Sequence, residues 1–86
     1  MKLKKDFILY DAGDETMLVP GGRAKFSGVV KGNDTLGAIL RLLSEETTEQ
    51  EVIRAMIDAY DAPEEIIARD VRSVITALRE IGALHD

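Results

Sequence analysis

His85 is the only histidine of this 86-residue chain and stands one residue from its end. An imidazole is the usual general base or metal ligand near neutral pH. Beside a terminus, however, it is expected to fray into solvent. With no cysteine in the sequence, disulfides, thiolate nucleophiles and zinc-thiolate sites are all absent. Serine occurs at 27, 44 and 73, never in the context that exposes a nucleophile at a strand-to-helix elbow. Glu45-Glu46 and the Glu49/Glu51 pair read as helix-end and capping residues, and no His or Cys joins them to define a metal site. Gly21-Gly22 and Gly28 read as turn glycines, because no Lys-Ser/Thr follows them into a helix as a phosphate cradle requires. The chain is therefore read as no enzyme, with neither metal nor cofactor.

The remaining chemistry is that of binding. Lys25 and Lys31 flank an apolar segment, and Arg69, Arg72 and Arg79 stand together near the end. A formal net charge of −5 opposes contact with phosphates, so nucleic acid is not the expected partner. No apolar run approaches the roughly 20 residues that span a membrane, and Met1-Lys2-Leu3-Lys4-Lys5 leads into no signal-peptide core. The expectation is a cytoplasmic protein without a membrane partner. A hydrophobic fraction of 45% beside 31% charged residues is that of a folded chain, not a disordered tail. The length makes residues 1–86 a single small domain.

The elements that must position these residues change character near Asn33. Before it, Phe7-Ile8-Leu9-Tyr10, Met17-Leu18-Val19 and Phe26 to Val30 are separated by Asp/Gly and Pro/Gly punctuation, the last ending at Lys31-Gly32-Asn33. These read as three short strands joined by tight turns. After it, three helical faces follow. Leu36, Ile39, Leu40 and Leu43 form the first, with Asn33 or Asp34 as N-cap. Thr48 with Glu51 makes a capping box for the second, whose face is Val52, Ile53, Met56, Ile57 and Tyr60. Pro63 suits the first turn of the third, with Glu64-Glu65 at its positive end. Its face is Ile67, Val71, Val74, Ile75 and Leu78, and Gly82 is placed as a left-handed cap. The order βββααα predicts an α+β, winged-helix-like fold: a three-stranded antiparallel sheet followed by a three-helix bundle.

Several stretches in this order resemble the PqqD-like family of precursor-peptide recognition elements. They are Met1 to Lys4 with Phe7-Ile8-Leu9, then Phe26-Ser27-Gly28-Val29-Val30 with Asn33-Asp34-Thr35-Leu36-Gly37-Ala38. Leu42-Leu43 follow, then Asp70-Val71 and Leu78-Arg79-Glu80-Ile81-Gly82-Ala83-Leu84. The chain departs from the family at Arg41, where a large aromatic is frequent, and at Gly32, where a leucine commonly precedes the asparagine. The resemblance implies a non-catalytic peptide chaperone. It would bind the leader segment of a ribosomally made precursor peptide and present it to a modifying enzyme such as a radical-SAM maturase, as monomer or homodimer. The leader would add as a strand along Lys25, Phe26, Ser27, Gly28, Val29, Val30 and Lys31. The third helix would form the other wall through Ile66, Arg69, Asp70, Val71, Arg72, Ser73, Val74 and Ala77. Ile66, Asp70, Ser73 and Ala77 lie on one flank of that helix, and Arg69, Arg72, Thr76 and Arg79 on the other. The sequence leaves open which flank overlooks the strand.

Physical chemistry agrees with such a mode, since an edge strand offers unpaired N–H and C=O groups to an incoming chain. If the Val30 N–H points outward, Val30→Pro is expected to weaken binding. Two readings compete: a structural module that only dimerises or scaffolds an enzyme, and a winged-helix DNA-binding regulator reading bases through Arg69, Arg72 and Arg79. Against the regulator, Pro63-Glu64-Glu65 gives its recognition helix an acidic start.

Overall fold

The computed structural model describes residues 1–11, 13, 15–22 and 30–86. Strands β2 (Phe7–Asp11), β3 (Thr16–Pro20) and β4 (Val30–Gly32) form an antiparallel sheet in the order β2-β3-β4. Side chains alternate as the pleat demands: Phe7 is buried while Ile8 and Tyr10 face solvent, and on β3 Thr16 and Leu18 are buried. Of the third strand expected from Phe26 to Val30, residues 26–29 lie outside the described residues. Its stop is corrected, because pairing continues through Lys31 and Gly32 opposite Met17 and Thr16.

Three helices follow, α1 (Asp34–Leu43), α2 (Glu49–Ala59) and α3 (Glu64–Glu80). Asn33 caps α1, its side chain accepting from the Leu36 N–H at 3.2 Å. Thr48 caps α2, its hydroxyl accepting from the Glu51 N–H at 3.1 Å and donating to the Glu51 carboxylate at 3.2 Å. Pro63 stands one residue outside α3 instead of in its first turn, and its carbonyl accepts from the N–H groups of Ile66 and Ile67. The helices bury Ile39, Leu40 and Leu43, Val52 and Met56, and Ile67, Val71, Ile75 and Leu78 around one core with Phe7 and Leu18. Five residues of the expected faces stand differently. Leu36, Ile53, Ile57 and Val74 are half-buried at the edge of that core, and Tyr60 is exposed at the end of α2.

An element that the apolar pattern did not announce closes the fold. Strand β1 (Lys2–Leu3) pairs antiparallel with β5 (Leu84–His85), with Lys2 opposite His85 and Leu3 opposite Leu84. His85 is thus held in a strand rather than frayed, although its side chain is exposed. Leu3, Ala83 and Leu84 add to the core, which is why so short a pairing persists. Arg79 donates to Asp86 at 2.9 Å, and this hydrogen bond is the main reason that the Asp86 carboxyl lies below its ordinary pKa. The loop from α1 to α2 is tied to the same end, the Thr47 N–H donating to the Met1 carbonyl at 3.0 Å.

Gly82 turns the chain from α3 into β5. Its φ is +73°, a left-handed conformation. The Ala83 N–H reaches back to the Leu78 carbonyl at 2.8 Å and the Gly82 N–H to that of Arg79 at 3.1 Å. These two bonds, with Ala83 buried against the core, make a Schellman ending. Any Cβ there meets the left-handed penalty of about 1–2 kcal/mol. Gly82→Ala is therefore expected to lower the melting temperature by several degrees, about 4–8 °C per kcal/mol for a domain of this size. An unchanged thermal midpoint by circular dichroism would show that the cap is not needed.

Candidate functional site

The site is built where β4 enters α1. The hydrogen-bond parity of β4 follows from Pro20, which pairs with Phe7. Proline has no N–H, so Phe7 and Pro20 cannot exchange a ladder pair. The adjoining Gly21 N–H does donate to the Asp6 carbonyl, consistent with alternation from that point. Counting along the register, Val19 and Met17 turn their backbone groups to β2, and Leu18 and Thr16 turn theirs to β4. Val30 and Gly32, opposite Leu18 and Thr16, therefore bond inward to β3. Lys31 directs its N–H and C=O away from the sheet, along an edge with no partner strand among the described residues. The condition attached to Val30→Pro is not met; the outward donor belongs to Lys31.

Gly32 and Leu36 form the junction between this edge and α1. A Cβ on Gly32 would lie 2.7 Å from the Leu36 Cβ, so Leu36 fills the space a side chain at 32 would need. This explains the departure at position 32. Deeper in α1, a Cβ on Gly37 would fall 3.2 Å from the Cβ of buried Thr16, so the helix lies directly on β3. Arg41, the other departure, crosses to Asp11 at the end of β2 and donates at 2.7 Å. Both partners are about half exposed, which makes this link worth less than about 1 kcal/mol.

Between α1 and α3 runs a groove. Its apolar part, a hollow of about 250 Å³, is walled by Leu36, Val74, Ala77, Leu78 and Ile81 with Ser73. It continues past Leu36, Ser73 and Val74 toward the start of α1, where Asn33, Thr35, Ile39 and Asp70 line it. Of the residues expected on α3, Asp70, Ser73, Val74 and Ala77 are brought together here. Val71 is buried in the core and, with Ile66, borders a smaller hollow of about 100 Å³ between the three helices. Arg69 and Arg72 stand on the opposite flank with Thr76 and Glu80, over a shallow open surface whose margin Ser73 and Ala77 share. Arg72 faces Glu49 of α2 at 3.6 Å, and Arg69 lies 4.0 Å from Asp70. The groove thus belongs to the Asp70–Ser73–Ala77 side of the helix. The expected strand residues Lys25, Phe26, Ser27, Gly28 and Val29 lie outside the described residues; the backbone of Val30 and Lys31 forms the described part of that edge.

Leu36, Asn33, Thr35, Ile39, Leu78 and Ile81 were not foreseen as wall residues. Leu36 falls on the apolar stripe of α1, and only its overlap with the space above Gly32 shows that it faces the groove as well. Among the described residues, no three His, Asp or Glu side chains gather where they could hold a metal ion. No helix among them is long and apolar enough to cross a membrane.

Two solved structures share this architecture. One is titled "TbiB1 in Complex with the TbiA(beta) Leader Peptide", with 21% identity, a TM-score of 0.77 and full coverage of both chains. The other, "Lasso peptide synthetase B1 complexed with the leader peptide", has 19% identity and a TM-score of 0.77 over 99% of this chain and 96% of its own. No curated protein matches the sequence. The family described as coenzyme PQQ synthesis protein D (PqqD) matches residues 8–84, and the chain belongs to that family.

Proposed function

We propose that residues 1–86 act as one peptide-recognition domain, which captures the leader segment of a ribosomally made precursor peptide and presents it to a modifying enzyme. The leader adds as a strand along the Lys25–Lys31 edge, and its side chains on one face enter the groove between α1 and α3. The observation that carries this reading is the edge itself. The outward Lys31 N–H and C=O adjoin an apolar groove that begins at Leu36. Main-chain pairing supplies affinity along such an edge, while the neighbouring hollow selects side chains. The two similar structures are complexes with leader peptides, which supports the same class of ligand here.

The chain performs no chemistry of its own in this scheme. A radical-SAM maturase is one class of enzyme that would receive the bound peptide. The DNA-binding alternative gains nothing from the helix meant to read bases. Its first turn carries Glu64 and Glu65, and Arg72 and Arg79 already face carboxylates.

Titrating a candidate leader peptide into isotopically labelled protein tests the proposal. Chemical-shift changes are expected along residues 25–32 and at Leu36, Asp70, Ser73, Val74 and Ala77. Changes confined to the Arg69–Arg72–Thr76 flank, or to the α1–α2 loop, would overturn the strand-addition mode.

A further inference from the structure

The groove carries a chemical signature of its ligand. Among its described lining residues Asp70 is the only ionisable one, and the adjoining hollow is walled by Leu36, Val74, Ala77 and Ile81. The carboxylate is about half exposed, and among the described residues its one ion-pair partner is Arg69 at 4.0 Å. An exposed pair at that distance holds its partners weakly, so Asp70 is available to a cation from outside. The chain's net charge of −5 also draws a basic peptide toward it.

Resting on the reading of this groove as the leader site, we propose that it selects a leader with a lysine or arginine placed two or four residues from an apolar anchor. The spacing follows from two rises. From Asp70 to Val74 and Ala77 the helix climbs about 6 and 10 Å at 1.5 Å per residue. Along an extended peptide, side chains on one face recur about every 6.7 Å. An apolar side chain in the hollow therefore places the residue two positions away on the same face beside Asp70. A residue four positions away, about 13 Å along, reaches it with a long flexible side chain. Acidic residues at those positions are repelled by the Asp70 carboxylate.

The test is a displayed library of random ten-residue peptides selected against the full chain and against Asp70→Asn and Asp70→Lys variants. The wild-type chain is expected to enrich Lys or Arg at two or four residues from Leu, Ile, Val or an aromatic. Asp70→Asn should lose the basic preference, and Asp70→Lys should replace it with Asp or Glu. In a selected peptide, changing the basic residue to Glu should weaken binding to the wild-type chain about tenfold and strengthen binding to Asp70→Lys. Because Asp70 lies on the solvent side of α3, both variants are expected to fold, as thermal melts will verify. Peptides that bind in the groove without a basic preference, or with one indifferent to Asp70, would overturn the inference and leave the leader-binding reading standing. Enrichment of no peptide, or of peptides mapping elsewhere, would overturn both.

Discussion

Lys31→Pro is expected to weaken leader binding about tenfold or more while leaving the fold intact. The substitution removes the outward N–H of β4, and the ring then occupies the place an incoming carbonyl would take. Proline is tolerated on an edge strand when its missing N–H faced solvent, and the residue before it is held in the extended region that Val30 already occupies. A main-chain bond is worth about 0.5–1.5 kcal/mol net, and an acceptor left unpaired beside the ring adds to the loss. Lys31→Ala, which keeps the N–H, should bind nearly as the parent does. Val30→Pro should behave in the opposite sense. It breaks the bond to β3 and should cost about 1–3 kcal/mol of stability. Urea unfolding and peptide titration of the three variants separate the two effects. Equal binding by Lys31→Pro and Lys31→Ala would remove strand addition at this edge.

Gly32→Leu should be costly in this chain even though leucine resembles the family's usual choice. The new Cβ would lie 2.7 Å from the Cβ of Leu36. The far end of Leu36 can rotate away, but its Cβ is fixed by the backbone of α1, so strand and helix must separate. Overpacking of this kind costs about 1–3 kcal/mol. It should also push Leu36 into the groove and weaken peptide binding. Removing the obstacle provides the check. Leu36→Ala alone leaves a gap in the groove wall, whereas the Gly32→Leu/Leu36→Ala pair should recover much of the stability lost by Gly32→Leu. Contacting residues are expected to be non-additive in this way. If the two changes simply add in urea unfolding, Leu36 is not what excludes a side chain at position 32.

The helices were legible because their signals are local. Asn33, Thr48 and Gly82 act through bonds spanning a few residues, and the apolar stripes of α1 to α3 repeat often enough to reveal a period. The β2–β3 hairpin was legible for the same reason. Strands β1 and β5 were not, because two residues each cannot display an alternation, and their partner lies at the other end of the chain. The site was half legible. Sequence spacing sorted the residues of α3 into two flanks. The choice between them depends on where α1 packs, and the close approach of the Gly37 backbone to the Thr16 side chain bears on that. The outward donor was missed by one residue, since strand parity is set across the sheet by Pro20 rather than within β4.

Pairing of β1 with β5 also sets the order in which the molecule can complete itself. Leu3 is made well before its cross-strand partner Leu84, which lies 81 positions later. Closing so long a loop is slow relative to forming the helices between, which need only neighbours in sequence. On the ribosome, β2, β3 and α1 can assemble while Leu3 still waits with its apolar side chain uncovered. The last turn of α3, the Gly82 reversal and β5 must emerge before that end of the core is sealed. Translation stalled shortly before residue 84 would therefore leave a nascent chain with its helices made and its first strand open to chaperones.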